Sequence, residues 1–137
     1  MIRALLSVCG QDVLLDSQSN RASIISIAES FDVPILPGIF GSVGALFILA
    51  RDEGDPESPQ MVVRVGLVGR PPQELPVAID FQHKMTVRVI VRMSGLLVPA
   101  PGVLRVALAH VGEGEAIGHW DMAVNLVAPA AVAAAVQ

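Results

Sequence analysis

Residues 85–93 read MTVRVIVRM, and apolar residues occupy every second position of this stretch. Successive side chains of a β-strand point to opposite faces, so this alternation predicts a strand with one apolar face. The predicted inward positions are Met85, Val87, Val89, Val91 and Met93, and the predicted outward positions are Thr86, Arg88, Ile90 and Arg92. Residues 61–68, MVVRVGLV, repeat the pattern. Their predicted inward side chains are Met61, Val63, Val65 and Leu67.

Six further stretches are typical of strands, and turn residues separate them. The predicted strands are 4–9, 22–33, 45–51, 73–80, 103–110 and 116–127. Short strands at this spacing predict an all-β fold, an antiparallel two-sheet β-sandwich of about eight strands. A chain of 137 residues fits one domain. We expect a single β-sandwich domain over residues 1–127 and an Ala-rich C-terminal tail over residues 128–137.

The last two predicted strands allow a prediction of register. If residues 112–114 form a three-residue loop with Gly114 in the left-handed conformation, Leu104 lies opposite Met122 and Val106 opposite Trp120. The same register sets Arg105 opposite Asp121. Apolar side chains then meet on one face and opposite charges on the other, which is how cross-strand pairs stabilise a sheet.

Composition argues against several classes of partner. A net charge of −4 disfavours nucleic acid, which binds to basic surfaces. Cys9 is the only cysteine and cannot form an internal disulfide, so we expect a reducing compartment, the cytoplasm. Residues 33–50 carry no charge, but prolines and glycines interrupt their first half, so we expect no membrane-spanning helix and no membrane partner.

The order of these features resembles a family of small bacterial β-sandwich domains of unknown function. The resemblance rests on an early strand ending in Asp (5–12), a Ser/Ile-rich strand ending in Phe-Asp (23–32), a Pro-containing crossing into an apolar strand (33–51), and a Pro-x-Pro-Gly turn (99–102) before the last hairpin. It implies the sandwich fold and no known activity.

No group of residues predicts an enzyme. The candidate metal ligands are His83, His110, His119 and Asp121, but the predicted register directs His110 to the face opposite His119 and Asp121. His119 and Asp121 could act as an acid/base pair, although Arg105 competes for Asp121. The sequence has no Gly-x-Ser-x-Gly nucleophile motif. Residues 38–44 resemble a glycine-rich phosphate loop, yet the only lysine is the distant Lys84, so we read them as a tight turn. We therefore expect a non-enzymatic protein without a cofactor or a bound metal.

Two charged regions are candidate binding sites. Residues 52–57 carry four carboxylates, which suit either a solvated loop or a calcium site. Arg64, Arg88 and Arg92 are predicted to point outward from two strands, and guanidinium groups bind carboxylates well. An ordinary solvated face is the alternative interpretation of these arginines.

The apolar content points to association. Hydrophobic residues make up 53 % of the chain, and Ile24, Ile90 and both faces of residues 43–50 supply more apolar surface than one core should cover. Large exposed apolar patches usually mark interfaces. We therefore expect a binding or assembly module that forms a homo-oligomer, in particular a two-fold dimer, or binds another protein. The alternative is a sandwich that binds an anion or small molecule through Arg64, Arg88 and Arg92.

Overall fold

The structure, a computed structural model, describes residues 1–127, which form nine β-strands with no helix among them. The predicted tail, 128–137, lies outside the described residues. The strands are β1 (Arg3–Leu15), β2 (Ala22–Ile27), β3 (Ser30–Val33), β4 (Gly38–Ala50), β5 (Gln60–Leu67), β6 (Gln73–Ala78), β7 (Thr86–Val98), β8 (Gly102–His110) and β9 (Ala116–Leu126). They form a four-stranded sheet, β2-β1-β4-β7, and a five-stranded sheet, β3-β9-β8-β5-β6. The all-β prediction is confirmed, with nine strands where about eight were expected.

The predicted strand at 22–33 is in fact two strands in different sheets. β2 pairs with β1, whereas β3 pairs with β9 in parallel, so the prediction of purely antiparallel pairing was wrong here. The indole Nε1 of Trp120 donates a hydrogen bond of 2.6 Å to the carbonyl of Ala28, between the two strands. Periodicity could not reveal this break, because the apolar residues keep the same parity on both sides of it.

Three strands are longer than predicted. β1 continues to Leu15, β4 begins at Gly38, and β7 continues to Val98. The glycines before residue 45 suggested a turn, but residues 38–44 pair with β7 along their length. Gly44 is needed for close approach rather than for turning. A Cβ there would lie 3.0 Å from the backbone nitrogen of Val13, so β1 crosses β4 at a distance that a side chain would block.

The predicted register of the last hairpin is confirmed. Leu104 pairs with Met122, Val106 with Trp120 and Arg105 with Asp121. The turn differs from the prediction, because the strands stop at His110 and resume at Ala116, and the positive φ (+83°) belongs to Gly112. A bulge between Leu108 and Ala109 absorbs the difference in loop length, which is why the register is unchanged.

One main core takes apolar side chains from both sheets. The predicted inward residues of β5, Met61, Val63, Val65 and Leu67, are all buried in it. From the four-stranded sheet it includes Cys9, Ala45, Phe47, Leu49 and Val89, and from β8 and β9 it includes Leu104, Val106, Leu108 and Met122. The two sheets are therefore held together by shared apolar burial, which is the main favourable term in folding.

A second, smaller cluster lies on the other face of the four-stranded sheet. It consists of Val8, Val13 and Leu46, with Ala22, Ile24 and Ile90 packed against it. Leu46 lies between the inward-facing Ala45 and Phe47, so this cluster is on the side away from the main core. The β1–β2 hairpin covers it. The expectation that Ile24, Ile90 and residues 43–50 need a partner to cover them was therefore wrong. The main core buries one face of residues 43–50, and the cluster under the hairpin buries Leu46 and half-buries Ile24 and Ile90.

Candidate functional site

The three predicted arginines do not share one face. Arg64 is on β5 in the five-stranded sheet, whereas Arg88 and Arg92 are on β7 in the four-stranded sheet, and β5 and β7 are not neighbours. The expectation of one basic face was therefore wrong. Alternation along a strand shows which side chains share a side of that strand, but it does not show which strands share a sheet.

Arg88 and Arg92 hold the β1–β2 hairpin in place. The Nη2 of Arg88 donates to the carbonyl of Asn20 at 2.8 Å, and the Nη2 of Arg92 donates to the carbonyl of Val13 at 2.7 Å. The Nε of Arg92 also lies 3.4 Å from the carboxylate of Asp12. Bonds from charged donors to backbone carbonyls stabilise the hairpin against the sheet, so both arginines have a structural role here.

Arg64 is held in a different way, on the outer side of the five-stranded sheet. Its Nε donates to Glu74 at 3.2 Å, its Nη1 to the carbonyl of Gly114 at 3.2 Å, and its Nη2 to the carbonyl of Glu113. The side chain is 18 % exposed. This guanidinium is therefore fixed in one position and still reaches solvent.

A concavity of about 260 Å³ lies beside Arg64. Three arginines line it: Arg64 from β5, Arg70 from the β5–β6 turn, and Arg105 from β8. In the β5–β8 register, Arg64 faces Ala107 and Gly66 faces Arg105, so each arginine is opposite a small residue. Pro72 packs over Gly66, where a Cβ would lie 3.0 Å from the Cα of Pro72.

The ion pair between Arg105 and Asp121 orients one wall of the concavity. Nε and Nη2 of Arg105 donate to the two carboxylate oxygens of Asp121 at 2.7 and 2.9 Å. The hydrogen bond from Arg105 lowers the pKa of Asp121, and the same bond raises the pKa of Arg105. Both groups therefore stay charged at neutral pH, in the bidentate geometry that arginine prefers.

The histidines do not converge on a metal site. His119 is on the Arg105 side of the sheet, as predicted, with its Nε2 4.0 Å from Asp121. His83 contacts Glu57 in a loop at another position, and His110 pairs with Met61 at the end of β5. Within the described chain, no three His, Cys, Asp or Glu side chains form a group that could hold a metal ion.

The carboxylates of the acidic loop, residues 52–57, form ion pairs with cationic groups of the same chain. The α-ammonium of Met1 lies 2.6 Å from Asp52 and 2.7 Å from Asp55, and Arg3 lies 3.0 Å from Asp52. Hydrogen bonds from the α-ammonium lower the pKa of both aspartates. Glu57 lies 3.6 Å from Arg51. These contacts favour the solvated, internally neutralised loop over the calcium alternative.

Cys9 has no access to solvent. Burial raises the pKa of its thiol to about 12, so the reactive thiolate is scarce at neutral pH. The thiol belongs to the main core, where it acts as a small apolar side chain.

Sequence reasoning missed Arg70 and the grouping of Arg105 with Arg64. Arg70 lies between the predicted strands 61–68 and 73–80, and Arg105 was predicted to lie on the charged face of its strand, opposite Asp121. What no local pattern could show is that β5 and β8 are neighbours, since residues 64 and 107 are far apart in sequence and meet only in the sheet.

No protein-family model matches the sequence, and a search of curated proteins gives no match. The resemblance to small bacterial β-sandwich domains therefore stays a prediction. Residues 1–127 contain no helix that is both long and apolar enough to cross a membrane.

Proposed function

We propose that this chain is a non-enzymatic assembly module, a two-sheet β-sandwich that forms a homodimer in the cytoplasm through its edge strand β7. In the described part of the chain, β7 pairs only with β4. Its other edge presents backbone N–H and C=O groups along a strand of 13 residues. The observation that carries the proposal is that residues 86–94 of this edge contain no proline and no residue with positive φ, two features that normally prevent edge pairing.

The other three edge strands are protected. β6 contains Pro76, which cannot donate to a neighbouring strand. β3 has only four residues and is followed by Pro34. β2 has six residues, and its Ser26 has a positive φ of 53°, which interrupts regular pairing. By contrast, β7 contains no proline. Its first residue with a positive φ is Gly95, so residues 86–94 remain regular and can pair with another strand.

The side chains of β7 also leave apolar surface uncovered. Val87 and Val91 were predicted to face the core and do pack against it, yet both remain half-buried because no strand lies beyond them. A strand added at this edge would cover them. Main-chain hydrogen bonds would then provide affinity, and apolar contacts on alternate residues would provide specificity.

A second copy of β7 is the partner that matches this edge. Residues 86–98 carry Arg88 and Arg92 and no acidic residue, so pairing of two copies needs a register that keeps the arginines of one copy away from those of the other. Antiparallel pairing of β7 with itself about a two-fold axis joins two identical edges and closes the assembly. An axis at Ile90 would set Arg88 opposite Arg92, which is repulsive. An axis at Val91 sets Arg88 opposite Ser94 and Arg92 opposite Ile90, so we expect a register of the latter kind.

Sedimentation equilibrium tests the proposal. We expect the wild-type chain to be dimeric at micromolar concentration and Val91→Lys to be monomeric, because an inward-facing lysine on an edge strand opposes pairing. Leu75→Lys is the matched control, an exposed apolar residue of the proline-containing edge strand β6, and it should remain dimeric.

Circular dichroism of each variant checks that it is folded. A folded wild-type monomer at micromolar concentration would overturn the proposal, and so would a folded Val91→Lys variant that still dimerises.

A further inference from the structure

The concavity on the outer side of the five-stranded sheet has unused hydrogen-bonding capacity. A guanidinium carries five N–H donors. Arg64 uses three nitrogens for Glu74 and two backbone carbonyls, and Arg105 uses two for Asp121. Within residues 1–127, no hydrogen bond or ion pair involves the guanidinium of Arg70. Donors from all three arginines are therefore available to an acceptor in the concavity.

The charge balance limits the kind of acceptor. No carboxylate lines the concavity. Glu74 pairs with Arg64 and Asp121 pairs with Arg105, whereas Arg70 forms no ion pair within residues 1–127. Such a site suits a group with a single negative charge better than a polyphosphate, because a multiply charged ligand would remain partly uncompensated.

The rest of the lining is apolar or small. The lining includes Val68, Pro72, Ala107 and Ala116. Concave sites of this kind bind the apolar body of a ligand through such side chains, while a few fixed polar groups orient it. Ala107 pairs with Arg64 across the sheet, and its small side chain leaves room beside that guanidinium.

We propose that this concavity is a binding site for a small organic monocarboxylate. The carboxylate lies between the guanidinium groups of Arg64, Arg70 and Arg105, and the apolar body rests against Val68 and Pro72. Arg64 and Arg105 are held in advance by their own ion pairs, so only Arg70 has to become ordered on binding, which reduces the entropic cost.

Isothermal titration calorimetry with hexanoate tests the proposal, with hexanamide and inorganic phosphate as comparison ligands. We expect hexanoate to bind, hexanamide of the same shape to bind at least about tenfold more weakly, since it lacks the charge, and phosphate to bind more weakly than hexanoate. Stronger binding of phosphate would overturn the assignment to monocarboxylates, and no binding of hexanoate would overturn the site.

Two variants locate the site. Arg70→Ala should weaken hexanoate binding by about tenfold or more, whereas the matched control Arg21→Ala, a turn arginine at the other sheet, should bind normally. Ala107→Leu should place a larger side chain in the concavity beside Arg64 and abolish hexanoate binding. Equal affinity of Arg70→Ala and Arg21→Ala would contradict the proposal. The site is in a different sheet from β7, so hexanoate binding and dimerisation succeed or fail independently.

Discussion

At Gly118, the absence of a side chain allows β1 to approach β9. A Cβ at this position would lie 2.5 Å from the Oγ of Ser7 and 2.7 Å from the Cβ of Ala4. Both distances are shorter than two such atoms can tolerate, and Ala4 packs against the main core. The contact between the two sheets at this side of the molecule therefore depends on one missing methyl group.

We expect Gly118→Ala to destabilise the protein by about 1–3 kcal/mol, because overpacking forces backbone shifts in a close-packed interior. Urea unfolding, followed by circular dichroism, measures the change. Gly114→Ala is the matched control, since a Cβ there meets nothing within 4 Å and Gly114 is not among the residues with positive φ. Equal stability of the two variants would show that β1 and β9 are not in close contact.

Among the elements, the β1–β2 hairpin has the least expected position. It covers the outer face of the sheet to which its own strands belong, with Arg88 and Arg92 bound to its carbonyls. Its two faces differ in burial. Val13 is completely buried against Leu46 and Ile24, whereas its neighbour Leu14 is 48 % exposed. The hairpin is therefore a packed part of the fold on one face and solvent-exposed on the other.

The two neighbours provide a test of this packing. Val13→Ala should lower the free energy of unfolding by about 2 kcal/mol, because it removes buried methyl groups and leaves a cavity. Leu14→Ala should lower it by no more than about 0.5–1 kcal/mol, because half of that side chain is already in water. Urea denaturation of both variants gives the comparison. If Val13→Ala cost no more than Leu14→Ala, the hairpin would not be docked on the sheet.

At the scale of the whole molecule, the two sheets share one core. Trp120, the only tryptophan in the sequence, packs against both apolar clusters and bonds to the carbonyl of Ala28 between β2 and β3. Neither sheet can bury its apolar face without the other. We therefore expect a single cooperative unfolding transition.

The emission of Trp120 and the far-UV circular dichroism signal should give the same urea midpoint when both are measured at one protein concentration. Trp120 reports the packing between the sheets, whereas circular dichroism reports the strands themselves. A lower urea midpoint for Trp120 emission than for circular dichroism would mean that the sheets separate before their strands unfold. That result would contradict a single cooperative transition.

Much of the fold could be predicted from local pattern. The inward face of residues 61–67 followed from alternation, and the register of Arg105 with Asp121 followed from matching apolar and charged faces across one hairpin. Both predictions use only the pattern of residues close in sequence. The candidate site could be predicted only in part, since Arg64 and Arg105 were known to point outward but not to be neighbours.

The sequence by itself determined that the chain is all-β, which side of each regular strand is apolar, and how the last hairpin pairs. Only the tertiary structure decided that β2 and β3 belong to different sheets, that the β1–β2 hairpin covers the second apolar face, and that Arg64 groups with Arg70 and Arg105. The physical reason is that alternation encodes burial against some surface, whereas the identity of that surface depends on contacts between segments distant in sequence. Part of the high apolar content therefore reflects a sheet whose outer face is covered by its own chain, while Leu14, Leu15, Ile25 and Ile27 of the covering hairpin stay exposed.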